Sequence, residues 1–91
     1  MNGAVFNKND YRILSTFDDK ESYTEISSLT IKQIANNTNL SIPKVRSTVK
    51  NFVLVGFLKE GAKDGISKTY YITKEGIDHV TKVTQIDYEE E

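Results

Sequence analysis

The 91 residues predict an α+β fold, mainly α, with a two-stranded hairpin and a C-terminal helix, on three observations. Two cap-marked helical segments follow one another across a short turn near Leu40-Ser41. An Asp64-Gly65 pair separates two β-prone runs. Apolar residues recur at helical spacing near both ends of the chain. The length fits one domain spanning residues 1–91, with an acidic tail at 87–91. So short a chain buries a modest share of its surface, and a partner chain would add to its stability.

The elements follow in order. Asn9 or Asp10 can cap a first helix that carries Tyr11, Ile13, Leu14 and Phe17. Residues 18–22 read as a turn, and "YTEISSLT" has the composition of a short strand near Ile26 to Leu29. Thr30-Ile31-Lys32-Gln33 matches the capping box, in which side chains at both ends satisfy unpaired backbone N–H groups. The helix it opens should end near Asn37 or Thr38, with Ile31, Ile34 and Ala35 facing inward. Ser41 caps the next helix, and Pro43 lies in its first turn, where the missing N–H costs nothing. Ile42, Val45, Val49, Phe52 and Val53 then form one stripe, and Gly56 stops the helix. Phe57 to Lys59 and Lys68 to Thr73 are the hairpin strands around the Asp-Gly turn signal. Thr73 caps a last helix with Ile77, Val80, Val83 and Ile86.

Charge is segregated along the chain. Residues 1–29 hold three Lys/Arg and five Asp/Glu, a net −2. Residues 30–74 hold eight basic and two acidic residues, a net +6. Residues 75–91 hold one basic and six acidic residues, a net −5. The basic middle is the segment that contains the paired helices and the hairpin. No apolar run approaches the roughly 18–20 residues of a membrane span, and no signal peptide is visible, so no membrane association and a cytoplasmic location are expected. There is no cysteine, no glycine loop built for phosphate and no ligand cluster for metal. His79 is the only histidine, which leaves no catalytic Ser-His-Asp set, so neither an enzyme nor a cofactor is expected.

Two short helices joined by a tight turn and followed by a basic hairpin make a winged helix-turn-helix. "LTIKQIANNTNLSIPKVRSTVKNFVLVGFLKE" followed by "SKTYYITKEG" resembles the winged-helix DNA-binding superfamily, MarR-like repressors included, over roughly residues 10–86. The matching positions are Ile34 and Ala35, Leu40 and Ser41, Val45 and Val49, Gly56, and the run from Tyr70 to Gly76. Phe52, the small size and the spacing of the two stretches also resemble the TubR-type centromere-binding proteins of plasmids and phages. That resemblance implies a small homodimer that binds repeated or palindromic double-stranded DNA and couples it to a filament-forming, tubulin-like GTPase. It implies transcriptional repression, DNA segregation, or both.

The residues that would carry DNA binding fall in three groups. On the second paired helix they are Ser41, Pro43, Lys44, Arg46, Ser47, Thr48, Lys50 and Asn51. The major groove admits an α-helix; Asn pairs with adenine there and Lys or Arg with guanine, while a capped helix N-terminus can approach a phosphate. Around the hairpin tip they are Lys63, Ser67 and Lys68, beside Thr69, placed to meet phosphates or the minor groove. Ser28, Thr30 and Lys32, at the start of the preceding helix, are further backbone anchors. Leu54, Val83 and Ile86 leave their helices' inner stripes and are the candidate dimer contacts. A winged-helix protein-interaction module that does not bind DNA is the alternative reading.

Overall fold

The computed structural model describes residues 6–89, with side chains described as far as Val83. The elements run α1 (Lys8–Asp19), β1 (Leu29–Thr30), α2 (Ile31–Thr38), α3 (Ile42–Leu54), β2 (Leu58–Glu60), β3 (Thr69–Ile72) and α4 (Lys74–Glu89). The expected order of helices and strands holds, and five local details differ.

The first difference is the start of α1. Its cap is Asn7, ahead of the expected Asn9 or Asp10. Asn7 Oδ1 accepts from the Asp10 N–H, and Asp10 Oδ2 accepts from the Asn7 N–H, both at 2.9 Å. Three Asn/Asp residues crowd this stretch, and only Asn7 has an acceptor three positions on that closes a reciprocal pair. The helix then buries Ile13, Leu14 and Phe17 completely.

The second difference is β1. It covers only Leu29 and Thr30, and Ile26 lies bare on the surface. Thr24 and Ser27 bond to each other through side chains and backbone, which gives this stretch a turn in place of a strand. β1 still pairs antiparallel with β3, Leu29 opposite Tyr70 and Thr30 opposite Thr69. The sheet therefore has three strands in the order β1-β3-β2, one more than the expected hairpin. Ser22 ties it to α1: its N–H donates to Phe17 at 2.9 Å, and its carbonyl accepts from Ile72 at 2.9 Å.

The paired helices follow the sequence closely. Thr30 and Gln33 form the capping box of α2, and Asn39 takes a left-handed conformation at φ 62 to end it. Ser41 caps α3, which turns Val45, Val49 and Phe52 into the core. Ile42 was expected on that inner stripe but is exposed at the first position of α3, on the same side as Arg46 and Lys50. The helix ends in a Schellman motif: Gly56 N–H donates to Val53 and Phe57 N–H to Phe52, with Gly56 at φ +86. The Phe52 and Phe57 rings meet across this stop at 6.0 Å, and Phe6 covers Phe52 at 4.6 Å.

In the wing, Leu58 pairs with Ile72, Lys59 with Tyr71 and Glu60 with Tyr70. The tip is shifted by one residue from the expected Asp64-Gly65 centre. Asp64 and Ser67 bond reciprocally, so Gly65 and Ile66 are the central pair. Gly65 has φ +65 and Ile66 does not share a positive φ, the sign pattern of a type II′ turn. Thr73 Oγ1 accepts from the Gly76 N–H at 3.1 Å and donates to the Gly56 carbonyl at 2.7 Å, which joins the start of α4 to the end of α3. A side chain at Gly76 would run into the Phe57 carbonyl, so this approach requires glycine. The helical backbone of α4 continues to Glu89, into the stretch expected to form an acidic tail.

Candidate nucleic-acid interface

The inner face of α3 decides what its outer face can offer. With Val45, Val49 and Phe52 buried, Pro43, Arg46, Ser47, Lys50 and Asn51 are left exposed, and Ser41 stands exposed at the helix start. The Ser41 hydroxyl accepts from the Lys44 N–H at 3.3 Å.

Two expected contributors are bonded to Asp10 on α1. Thr48 is buried and donates to Asp10 Oδ1 at 3.0 Å. Lys44, one helical turn earlier, reaches the same oxygen at 2.6 Å. The Asp10 carboxylate is nearly buried, which by itself raises its pKa, but the donors outweigh that cost. Lys44, the Asn7 N–H and Thr48 together hold it below the ordinary aspartate value. Thr69 is also turned inward, buried where it accepts from Ser28 and donates to the Ala62 carbonyl.

The remaining basic residues converge. An open groove of about 720 Å³ runs between the start of α2, the outer face of α3 and the wing tip. Thr30, Lys32, Arg46, Lys50, Ser67 and Lys68 line it, so six of the expected DNA-binding residues share one surface. Four of the six are cations, from three separate elements. One carboxylate opposes them: Glu60, 3.7 Å from Lys68, with both side chains more than half exposed. An ion pair so open to solvent is a weak tether that a phosphate can replace. Lys63 is exposed on the hairpin outside the groove lining.

The apolar part of this groove has no counterpart among the residues expected to bind DNA. Ile42, Val53, Leu54, Ile66 and Tyr70 line it between the cations. Leu54 is 77 % exposed, so it belongs to the same surface as the basic residues. Val83 is half-buried in a different cleft, beside Tyr11 and Val80. The expected dimer residues Leu54 and Val83 therefore do not meet within one chain, and the side chain of Ile86 lies outside the described residues. Ile66 stands out in the sequence as an isoleucine with no role in making the turn, but its place beside Leu54 and the cations comes only from the fold.

His79 is half-buried between α1 and Phe57. Its Nε2 lies 3.1 Å from the Tyr11 hydroxyl, and its ring stacks on Phe57 at 4.5 Å. Burial depresses its pKa, and Lys82 adds to the effect. Among the described residues no group of three or more His, Cys, Asp or Glu side chains is placed to hold a metal ion. Among them, too, no helix is long and apolar enough to cross a membrane.

No protein-family model matches the chain. A curated relative, the DNA-binding protein TubR of Clostridium botulinum C phage, is 40% identical over 77 residues, covering 85% of this chain and 95% of the relative. The solution structure of the DNA-binding TubR fragment from Clostridium botulinum is similar with 39% identity and a TM-score of 0.71, over 88% of this chain and 99% of that one. TubR from Bacillus megaterium shares the fold at 19% identity and a TM-score of 0.76, over 87% of each chain. MepR, a transcription regulator of Staphylococcus aureus, shares it at 19% identity and a TM-score of 0.75, over 92% of this chain and 59% of that one.

Proposed function

The chain belongs to the TubR family of DNA-binding proteins, and from that premise we propose that the α2–α3–wing groove is its double-stranded DNA surface. The observation that carries the reading is the convergence of Lys32, Arg46, Lys50 and Lys68 on one groove. Their charges neutralise phosphates, which supplies affinity without sequence information. Arg46, Lys50 and Asn51, exposed on α3, are the side chains suited to read base edges in the major groove. Lys63 and Lys68 on the wing hold the flanking backbone. Lys44, its side chain a third exposed, fixes α3 against α1 through Asp10, which offsets part of the charge it can offer to DNA.

In this proposal the protein acts in the cytoplasm as a homodimer. Two copies present two α3 helices, so the target is a palindromic or repeated site. Leu54, Val83 and Ile86 are the proposed dimer residues. Occupancy of adjacent sites would then block a promoter, mark a DNA segment for a filament-forming, tubulin-like GTPase, or both. Neighbouring sites raise the effective local concentration of dimers, so an array is held more tightly than one site.

The test is selection of bound fragments from the source's own DNA, followed by footprinting, with the oligomeric state measured by sedimentation. A cluster of short repeats filled by several dimers is expected. One isolated site, with no gain in affinity on multi-site DNA, would remove the segregation role and leave a simple repressor. A chain that sediments as a monomer at tens of micromolar would remove the dimer.

A further inference from the structure

We propose that Ile66 is an apolar wedge at the wing tip, and that it enters the minor groove of the DNA held along α3. The proposal rests on the DNA-binding reading of the groove. Ile66 is 99 % exposed, so nothing else in the described chain covers it. Its backbone is nonetheless fixed. Asp64 N–H donates to the Ser67 carbonyl at 2.9 Å, and Ser67 N–H to the Asp64 carbonyl at 3.0 Å. Gly65, at φ +65, supplies the one conformation that this turn needs from a special residue. Gly, Asn, Asp, Ser and Pro are the residues that turns select, each for a conformational or hydrogen-bonding reason. Isoleucine has neither, so the turn itself does not account for it.

Its surroundings supply a reason. Ile66 lines the groove together with Arg46, Lys50 and Lys68, so the tip projects on the basic side of the molecule. Exposure alone does not single it out, because Ile26 is 97 % exposed. Ile26 follows Glu25 and is absent from the groove lining, which makes it the natural control. An alkyl side chain flanked by cations suits a duplex. The cations meet the two phosphate backbones, and the alkyl group meets the groove floor or slips into an opened base step. Minor-groove proteins insert apolar side chains, isoleucine among them, between base steps and kink the helix. Pyrimidine–purine steps such as TA and CA unstack most easily, so a wedge reads deformability where no hydrogen bond reads sequence.

The experiment compares the full-length chain with its variants on two short end-labelled duplexes of matched base composition. One is rich in TA and CA steps, and the other places the same bases in A-tracts and G·C runs. Wild-type protein is expected to prefer the first and to shorten its end-to-end distance in energy transfer. Ile66→Ala is expected to weaken binding to it by roughly tenfold, the effect of losing one buried aliphatic side chain. The same variant should lose both the preference and the bend, with an unchanged salt slope. Lys68→Ala should lower that slope by about one, as loss of a phosphate contact does, and Ile26→Ala should behave as wild type. Wild-type affinity and preference in Ile66→Ala would overturn the proposal. So would an affinity loss accompanied by dissociation of the dimer in sedimentation, which would place Ile66 against protein. Wild-type protein that bound neither duplex would instead overturn the DNA-binding reading on which the wedge depends.

Discussion

Asp10→Ala is expected to destabilise the fold by about 2–4 kcal/mol, read as a lower urea midpoint with an unchanged slope. Asp10 accepts from three donors: the Asn7 N–H at 2.9 Å, Lys44 Nζ at 2.6 Å and Thr48 Oγ1 at 3.0 Å. Alanine removes half of the α1 capping box, typically about 1 kcal/mol. It also strands the buried Thr48 hydroxyl, a further ~1–3 kcal/mol. Lys44 can swing into water, which keeps the total well short of what a fully buried ion pair would cost. Asp10→Asn, which keeps the acceptor and loses the charge, should recover part of the stability.

The pH dependence has a definite sign. The folded-state pKa of Asp10 is depressed, because its three donors outweigh the opposing effect of burial. A depressed carboxylate contributes stability that is present above its unfolded pKa and lost as the pH falls through the folded value. The difference between wild type and Asp10→Asn should therefore be full at neutral pH and shrink below about pH 4. A difference that stayed constant down to strong acid would show that the carboxylate charge is not what holds α1 to α3.

The second large effect concerns function. Arg46→Glu combined with Lys50→Glu is expected to lower duplex affinity by roughly two orders of magnitude at moderate salt, by removing two phosphate or base contacts and adding two repulsions. The fold should tolerate the change. Both residues are exposed, and among the described residues neither takes part in a side-chain hydrogen bond or an ion pair. An unchanged melting temperature with lost binding is the expected pattern. Retained binding would move the DNA surface away from this groove.

The parts of this molecule that sequence reveals are those set by neighbours a few residues away. Thr30 with Gln33, Ser41 with Pro43, and Gly56 at the end of α3 each act through backbone groups within one turn. Their reading carries over to the structure without change. Asn7 was hidden because Asn7, Asn9 and Asp10 compete as caps, and the winner depends on which reciprocal pair closes. The residues bonded to Asp10 depend on distant partners. Thr48 lies at the edge of the α3 wheel, where a hydroxyl reads as polar and outward. Asp10, 38 residues away, gives it a buried acceptor instead. Lys44 likewise follows Asp10 across 34 residues. Ser22 shows no local pattern, yet its backbone joins α1 to β3. The basic half of the groove was visible as charge segregation. Its apolar half was not, because Leu54 and Ile66 come together only when the wing folds beside α3.

The most direct measurement of the central claim is the salt dependence of duplex affinity for the wild-type chain. Four groove cations per protomer set the scale, at about 0.9 released counterion per neutralised phosphate. The logarithm of the binding constant should fall linearly with the logarithm of salt, with a slope of about −3 to −4 per protomer. The slope of Arg46→Glu with Lys50→Glu should be shallower by about two. Affinity that did not change between low and physiological salt would contradict the account, as would equal slopes for wild type and the charge-reversed protein.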